Sequence, residues 1–598
     1  MTIHLDIETR SPIDITKAGV HTYAEQVEVL IACWAIDDGP VQTWTILDGP
    51  PLSDYLPTDG LYAAHNSQFE RVCLKENGID IPIEQWDCTA TRARAMNLPA
   101  SLAGAATALE LDYQKDKRGT ALIRKFSIPP YQEPNAEDQD WLDFVAYCQR
   151  DVEVERALDK ALQPLKQSEV WHQDQRINDR AIYVDQELVA GAIKIDTAHR
   201  VQCMDRLRTL TRLDNPNSQQ QLLAWFKENG VKINNLRKDT VQGLDQSKYS
   251  PEIGEVITLR QQLSQTSSKK YQSMKVSSCD DGAIRGILQY NGAGQTGRWA
   301  GRRVQPQNLA RGIVPVTADF RDVIKTGDLD WLTTLYGDNV QGLLGSALRS
   351  ALIPPEGQVL LISDYSAIEA RVLAWLAGEE WVLEEFRGEG KIYEATAAKM
   401  YNVKKDDVTK PQRQNGKGAT LGCGFGGGVG AVQAFGIEEG IAQKVVNDWR
   451  AANPSIVKYW RKCMTAAKRG GVVDTKLPKV EYKRTKKYLM CRLPSGRVLY
   501  YPNARPSNNG FDMDGKNVWH GILVENVCQA VARDLLAHAL LECEKEGFDV
   551  RFHVHDEIVC YGQPEELEKL EEVMCRLPDW AKGIPMNAEG EVSPWYKK

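Results

Sequence analysis

The segment RQNGKGATLGCGFG, residues 413–426, decides the fold of this chain. Arg413, Lys417, Leu421 and Phe425 recur every four residues within it, so they fall along one face of a helix. Two cations one turn apart suit the phosphates of a nucleoside triphosphate. The two apolar residues would offer a surface to the incoming base and to a templating base. This spacing therefore predicts a nucleotide-binding helix.

The ends and the glycines of this helix carry further information. Thr409 can cap the helix, and Pro411 suits its first turn. Each glycine inside a helix costs up to about 1 kcal/mol relative to alanine. We therefore interpret the glycines as a sign that substrate approaches closely or that the helix moves; they are Gly416, Gly418, Gly422 and Gly424.

Two acidic segments lie on either side of the helix in the chain. DYSAIEAR at 364–371 follows the apolar run LLIS, so Asp364 should emerge at the end of a strand; HVHDE at 553–557 places Asp556 in a hairpin. Two carboxylates from separate strands can hold a pair of divalent cations about 3.5–4 Å apart. Glu557 is a supporting carboxylate in this interpretation. The three segments together predict two-metal nucleotidyl transfer.

A second acidic set lies near the N-terminus. Asp6 and Glu8 alternate on the first predicted strand, and a D-x-E pattern alone turns up by chance about twice in a chain of this length. Ordered with two further patterns, it predicts a nuclease site that binds two metal ions and activates water. The further residues are Asn66, Phe69, Glu70, Tyr147 and Asp151.

The net charge of −8 hides an asymmetry along the chain. Residues 1–165 hold 14 Lys and Arg against 27 Asp and Glu, whereas the remainder holds 59 against 54. Between 256 and 318 only Asp280 and Asp281 oppose nine basic residues, which indicates a track for a phosphate backbone. The nine are Arg260, Lys269, Lys270, Lys275, Arg285, Arg298, Arg302, Arg303 and Arg311.

These motifs resemble the family A DNA polymerases, the bacterial polymerase I and phage replicative group. DYSAIEAR is similar to the family's DYSQIELR, HVHDEIV to VHDELV, and TGRWAGRRVQPQNL at 296–309 to its TGR…LQN segment. The N-terminal set resembles the three motifs of the DEDD-type 3′–5′ exonuclease. The resemblance implies a DNA-dependent DNA polymerase with a proofreading exonuclease, and the lean layout is similar to that of a phage enzyme.

The resemblance also implies a role for each matching residue. Asp364 and Asp556 would bind metal with the backbone carbonyl of Tyr365, and Glu369 would crowd a 2′-hydroxyl. Arg413 and Lys417 would hold the phosphates. The implied metal ligands of the exonuclease are Asp6, Glu8, Glu70 and Asp151, with Tyr147 orienting water. The implied and predicted DNA contacts are Arg298, Gln529, His555, Lys269, Lys270, Arg302, Arg303 and Asn308.

Several positions depart from the family pattern. Ala367 replaces a common Gln, Leu421 stands where Phe or Tyr is usual, and Phe425 where Tyr is usual. Tyr393 occupies a position often held by His. Glu70 replaces the usual Asp, and its extra methylene moves the carboxylate by roughly 1.5 Å. The segment 311–346 is an insertion to which the sequence assigns no role.

The predicted fold class is multidomain α/β. A ribonuclease-H-like exonuclease domain at 1–165 contains strands near 2–8, 29–36 and 41–46 and a long helix from about 137 to 165. A right-hand polymerase domain follows at 166–598, in which residues 186–275 are almost wholly helical. Its predicted subdomains are a thumb at about 180–290, a palm at about 291–380 and 495–598, and fingers at about 381–494.

The expected cofactor is Mg²⁺, two ions in each active site, with Mn²⁺ able to substitute. Expected partners are primer–template DNA and dNTPs, together with a helicase, primase or single-strand-binding protein. No secretory signal or membrane span is visible, and 13 Cys without a C-x-x-C pair indicate reduced thiols. We expect a monomer in the cytoplasm, that of a bacterial host if the chain is phage-encoded.

Two alternatives stay open. A single-subunit RNA polymerase shares the palm and the Arg/Lys helix, although Glu369 and the attached exonuclease argue against it. A replisome scaffold without catalytic activity would keep the fold, although intact carboxylates at 364 and 556 disfavour it.

Overall fold

The structure of the protein is a computed structural model that describes residues 1–112, 118–265, 268–473, 475, 479–513 and 515–597. Within these residues, no helix combines the length and apolarity needed to cross a bilayer. All 13 cysteines are free thiols, and twelve of them are buried.

The N-terminal part is built on a five-stranded mixed sheet. Its central strand, Thr2–Arg10, pairs antiparallel with Glu28–Ile36 and parallel with Leu61–Ala64. Gln42–Thr45 and Trp86–Cys88 form the two edges. Side chains alternate along the central strand, so one face buries apolar residues while the other carries Asp6 and Glu8. The three strands predicted from the sequence are confirmed.

Helices cover this sheet on both sides. The long helix Gln139–Ala161 packs on the central strand, close to the predicted range of 137–165. The other helices of this part are Ile15–Ala18, Val20–Ala24, Gln68–Glu76, Thr89–Ala95, Leu102–Ala108 and Gly119–Phe126.

Residues 168–277 are largely helical, as predicted for 186–275. Ser218 caps the helix Gln219–Glu228 by accepting a hydrogen bond from the N–H of Gln221. The remaining helices are Ser168–Arg180, Gln186–Thr211, Lys238–Gln242, Pro251–Ser264 and Lys269–Ser277.

The insertion at 311–346 forms helices of its own. Ala318–Thr326 packs on the long helix Gln186–Thr211, followed by Leu329–Tyr336 and Val340–Ala347. The insertion therefore extends the helical region beside it.

An antiparallel four-stranded sheet forms the centre of the C-terminal half. Val359–Tyr365 lies between Glu557–Gly562 and Ala588–Ser593, and Asp549–Val554 completes the sheet. The helix His520–Lys545 packs on it, as does the helix Leu567–Met574. The sequence predicted the first strand and the hairpin; it did not predict the polar strand Ala588–Ser593.

Helices and small sheets separate the two halves of this sheet in the chain. The helices are Ile368–Ala377, Glu380–Arg387, Ile392–Tyr401, Lys410–Cys423, Val429–Ala434, Glu439–Ala452 and Pro454–Arg469. A second four-stranded sheet contains Gly471–Val472, Glu481–Arg484, Tyr488–Arg492 and Val498–Pro502. The remaining strands are Ile182–Val184, Ala283–Ile284, Leu288–Ala293, Arg298–Gly301, Leu352–Ile353, Arg505–Ser507, Gly510–Met513 and Lys516–Val518.

The N-terminal sheet is joined firmly to the rest of the molecule. One hydrophobic cluster runs from Tyr62 and Trp86 of the sheet through Trp171 and Ile177 of the connecting helix into the C-terminal half. Beside it, Arg71 donates two hydrogen bonds of 2.6 and 2.8 Å to the carboxylate of Asp179. The two parts therefore share a core, and an ion pair crosses their junction.

This ion pair yields a prediction about stability. The side chain of Arg71 is 5% exposed and that of Asp179 is 27% exposed. Asp179→Ala would leave a buried guanidinium without its partner, and we expect it to lower the free energy of unfolding by about 3 kcal/mol. Arg71→Ala leaves a carboxylate that water can reach and should cost less.

Denaturant unfolding of the full chain measures both variants. Arg206→Ala is the matched control, because Arg206 makes a similar two-bond pair with Glu255 at an exposed site and should change stability by less than about 1 kcal/mol. Equal effects of Asp179→Ala and Arg206→Ala would contradict the proposed role of the junction.

Candidate functional site

Strand pairing brings the two predicted catalytic aspartates together. Asp364 lies one residue from the end of its strand and is the register partner of Glu557. Asp556 occupies the turn before that strand, and its carbonyl accepts a hydrogen bond of 3.1 Å from the N–H of Tyr365. Both aspartates are half-buried. The arrangement agrees with the predicted strand-end and hairpin positions.

Glu557 occupies a different environment from the two aspartates. It is only 1% exposed, and it accepts a hydrogen bond of 2.7 Å from the hydroxyl of Tyr596. Burial and this carboxylate raise the pKa of Tyr596. The sequence did not identify Tyr596, since a tyrosine three residues from the end of the chain belongs to no motif. The C-terminal segment thus holds Glu557 in the buried layer behind the two aspartates.

A cleft of about 370 Å³ opens beside the Asp556 turn. Residues predicted to contact nucleotide, metal and DNA line it together, although they come from four separate segments of the chain. They are Arg298, Glu369, Leu421, Phe425, His555 and Asp556, with Tyr393 among the further lining residues.

An ion pair crosses this cleft. Arg298 donates a hydrogen bond of 2.7 Å to the carboxylate of Glu369, and both side chains are partly exposed. Burial and then the charge of Glu369 raise the pKa of nearby Glu525, while Arg298 opposes that effect. Phe425 has no hydroxyl with which to hold Glu369. Arg298 is thus the hydrogen-bond donor to this carboxylate.

The predicted nucleotide-binding helix spans Lys410–Cys423. Thr409 caps it with a capping box shared with Gln412, and Pro411 lies in its first turn, so the predicted helix start is confirmed. Phe425 lies just beyond the last helical residue, Cys423, and the C-cap Gly424, rather than on the helix itself.

The two cations of this helix lie outside the wall of the cleft. Arg413 donates a hydrogen bond of 2.5 Å to Glu394, and the ammonium group of Lys417 lies 5.9 Å from the ring centre of Tyr393. Arg413 is eight residues before Leu421, about 12 Å along a helix. The two cations are therefore positioned to contact anionic groups of a ligand that extends from the cleft toward the start of the helix.

The structure shows a reason for three of the four glycines that the sequence did not suggest. A side chain at Gly416 would lie 2.3 Å from the carbonyl oxygen of Tyr393, and one at Gly418 would lie 2.9 Å from Ile437. Gly422 faces the backbone of Val432 at 3.2 Å. These glycines let three neighbouring segments pack closely on the helix.

Part of the predicted basic track is used within the protein. Arg303 donates to the backbone carbonyls of Ile15 and Thr16, and Arg285 pairs with Asp281. Arg302 is half-buried near Arg94 and Asp174, and burial lowers its pKa. Arg303 is used within the protein, so its assignment to DNA is not supported; the assignment of Arg302 stays a prediction.

Other predicted DNA contacts remain accessible. Lys269 is exposed, and Lys270 makes a long contact of 3.4 Å with Gln305. Asn308 is exposed, His555 lies in an exposed turn, and Gln529 donates a hydrogen bond to Glu525.

The N-terminal acidic residues form a compact cluster. Oxygen atoms from Asp6, Glu8 and Asp151 all lie within 4.8 Å of one another. Asp6 and Glu8 share one face of the central strand, and Asp151 projects from the helix that packs on that strand. Three carboxylates at this separation suit a divalent metal ion with oxygen ligands.

Tyr147 and Glu70 lie beside this cluster. Tyr147, one helical turn before Asp151, is 2% exposed, and burial followed by the charge of Asp151 raises its pKa. Glu70 does not belong to the three-carboxylate group. Burial and then the charge of Asp6 raise the pKa of Glu70 well above its ordinary value, and its Oε2 has no hydrogen-bond partner within the described part of the chain.

The packing of Gly416 yields a prediction. Gly416→Ala should lower the free energy of unfolding by about 1–3 kcal/mol, because the new methyl group forces the two helices apart. Gly440→Ala is the matched control; it adds the same group to a helix where nothing lies within 4 Å, and it should gain up to about 1 kcal/mol.

Denaturant unfolding and protease digestion measure the two variants. If Gly416→Ala were as stable as Gly440→Ala, the close packing of this helix would be disproved.

Comparisons with known proteins agree with this geometry. The model of DNA polymerase family A matches residues 202–597. A DNA polymerase of Bacillus phage SP02 is 40% identical over 652 aligned residues that cover 100% of both chains. DNA polymerase I of Pseudomonas aeruginosa is 28% identical over 38% of this chain and 23% of its own length.

A solved structure shows the same fold. The POL domain of Pol1 from M. smegmatis, in a complex with DNA primer–template and dNTP, superposes with a TM-score of 0.66 over 99% of this chain and 95% of that one. The sequence identity is 15%.

Proposed function

The chain belongs to DNA polymerase family A and synthesises DNA on a template, and from this premise we propose that it extends a primer 3′-hydroxyl by two-metal phosphoryl transfer and proofreads with a 3′–5′ exonuclease at 1–165. The cleft that gathers Glu369, Phe425 and Asp556 carries the first part of the proposal. The carboxylate cluster of Asp6, Glu8 and Asp151 carries the second.

In the polymerase site Asp364 and Asp556 would hold the metal ions, with the Tyr365 carbonyl assisting. Family A enzymes depend on a metal, and we propose Mg²⁺, with Mn²⁺ as a substitute. When bound, the ions lower the pKa of the attacking hydroxyl and stabilise the leaving oxygen. The strands Val359–Tyr365 and Glu557–Gly562 pair in one register, and Tyr596 holds the buried side chain of Glu557 through a hydrogen bond.

The nucleotide would lie in the cleft, with its triphosphate directed along the helix. Arg413 would exchange the carboxylate of Glu394 for phosphate oxygens, while Lys417 adds a second cation. Arg298 holds the carboxylate of Glu369 at the place where the sugar would lie. Leu421 and Phe425 would contact the base. Glu369 would then exclude a 2′-hydroxyl by steric contact.

In the proposed exonuclease site, Asp6, Glu8 and Asp151 would hold the metal ions. Tyr147 is protonated at neutral pH, and burial raises its pKa further, so its hydroxyl can donate a hydrogen bond that would orient a water molecule. Glu70, one methylene longer than the usual Asp, is proposed to join the ligands after ionisation.

The proposed organisation retains the predicted domains and partners. The thumb would lie at about 180–290, the palm at about 291–380 and 495–598, and the fingers at about 381–494. Proposed DNA contacts are Lys269, Lys270, Arg298, Asn308, Gln529 and His555. We also propose a monomer that works with a helicase, primase or single-strand-binding protein in the cytoplasm of a bacterial host.

Replacing Asp556 tests the polymerase site. Asp556→Ala should reduce Mg²⁺-dependent primer extension by at least about 10²–10³-fold, because a central charged group is removed, while degradation of single strands continues. Asp579→Ala is the control, since this carboxylate is 97% exposed and pairs with surface Lys582. Loss of both activities in Asp556→Ala would contradict separate sites.

The reverse experiment tests the nuclease. Asp6→Ala combined with Glu8→Ala should abolish degradation of a mismatched primer and leave extension of a matched primer unchanged, because two of the three clustered carboxylates are gone. Gel analysis of a labelled primer measures both activities, and Glu76→Ala serves as the surface control. Degradation that persists in the double variant would show that the nuclease lies elsewhere.

A further inference from the structure

A second concentration of positive charge lies at 458–492, outside the predicted phosphate track. This segment contains 12 Lys and Arg against two acidic residues, Asp474 and Glu481. Eleven of the basic residues are described, and nine of these are exposed. The exposed residues are Lys458, Arg461, Arg469, Lys479, Lys483, Arg484, Lys486, Lys487 and Arg492.

The strands of this segment present charge and aromatic rings on one face. Tyr482, Leu489 and Cys491 are buried on the inner side, so the alternating outer positions include Lys483, Tyr488 and Arg492. Met490 is the register partner of both Lys483 and Tyr500. Tyr488 and Tyr500 pack edge to face, with ring centres 5.7 Å apart.

A groove of about 450 Å³ separates this face from the N-terminal part. Lys487, Tyr488 and Asn503 line one side, and Asn97, Leu98 and Ala108 line the other.

Two contacts bridge the gap between the two sides. Lys487 pairs with Glu110 at 2.8 Å, and the side chain of Asn97 donates to the carbonyl of Tyr500. Both members of the ion pair are more than half exposed, so a ligand phosphate can compete with Glu110 for the ammonium group.

The chemistry of this groove selects its ligand. So many cations with few counter-charges repel one another, and a polyanion relieves that repulsion. The N-terminal side is acidic overall, so a backbone phosphate would contact the strands at 481–492 instead. An aromatic ring beside cations is typical of single-strand binding, where unpaired bases stack on it. Bases of a duplex are already stacked and paired.

We propose that this groove and the basic strands beside it bind single-stranded DNA outside the nucleotide cleft, with Tyr488 stacking on a base and Lys483, Lys486 and Lys487 contacting phosphates. The inference rests on the proposed function, because its ligand is the unpaired strand next to a primer terminus. Two sources share this chemistry: the template ahead of the primer, and a primer end that has separated from the template.

Binding of a fluorescent oligothymidylate of about 16 nucleotides to the full chain tests the proposal. The assay contains a chelator, so that no strand is degraded. Lys483→Gln with Lys486→Gln and Lys487→Gln should weaken binding about tenfold. The slope of log affinity against log salt should fall by about 2, since each single-strand phosphate contact contributes roughly 0.7.

The control triple variant removes the same charge elsewhere, by Lys75→Gln, Lys582→Gln and Lys597→Gln, and should bind as the parent chain does. Thermal unfolding checks that all variants are folded. Unchanged binding by the first triple variant, or an equal loss in the control, overturns the proposal.

A second pair of variants isolates stacking. Tyr488→Phe keeps the ring and should bind normally, whereas Tyr488→Leu should bind about tenfold more weakly. Equal affinity of these two variants overturns the stacking role and with it the proposal.

Two DNA substrates then show whether the groove binds the template strand or the primer strand. A loss confined to primer–templates with a long template overhang supports the template, and a loss confined to mismatched primer ends supports the primer. An equal loss on a blunt duplex overturns the proposal in favour of duplex contact. Primer extension by the unsubstituted chain runs in parallel, so failure of the polymerase function is recognised separately.

Discussion

The register between strand Val359–Tyr365 and strand Glu557–Gly562 is the constraint on which the catalytic region depends. These strands come from distant parts of the chain, and their pairing places Asp364 beside the Asp556 turn. A shift of one residue would turn every side chain to the opposite face of the sheet. Buried residues on both strands oppose such a shift, and the contact between Tyr596 and Glu557 adds a polar constraint. The chain end therefore contributes to the geometry of the site.

On the helical side of the cleft, close packing sets the position of the residues in the same way. The helix Lys410–Cys423 lies against Ile392–Tyr401 so closely that Gly416 leaves no space for a methyl group. This contact fixes where Arg413 and Lys417 point, since both cations lie near Tyr393 and Glu394 of the neighbouring helix. Glu394 neutralises Arg413, and in the proposed mechanism the triphosphate would compete with it for this cation. The glycines thus serve the site indirectly, by placing the helix.

Local signals in the sequence were sufficient for much of this arrangement. Capping by Thr409, the apolar run before Asp364 and the alternation around Asp6 each depend on neighbours within a few residues, and each predicted its element. The errors concern contacts between distant segments. Nothing local shows that Arg303 binds the carbonyls at 15–16, that Tyr596 holds Glu557, or that Gly416 faces Tyr393. A cation is equally suited to a phosphate and to a protein carbonyl, so its sequence position alone could not decide between them.

The distribution of charge gives the two proposed sites opposite electrostatic requirements. Three carboxylates within 4.8 Å at the N-terminal site repel a DNA strand, and the acidic composition of residues 1–165 adds to that repulsion. The strands at 481–492 carry the opposite charge and adjoin the same part of the molecule through Lys487 and Glu110. Salt screens such fields over about 10 Å at 0.1 M, so the attraction of a strand to the basic face would weaken as the salt concentration rises. In the proposed arrangement, entry of a strand into the acidic site would depend on divalent cations at those carboxylates. Separate groups of residues would then control DNA attraction and the proposed nuclease chemistry.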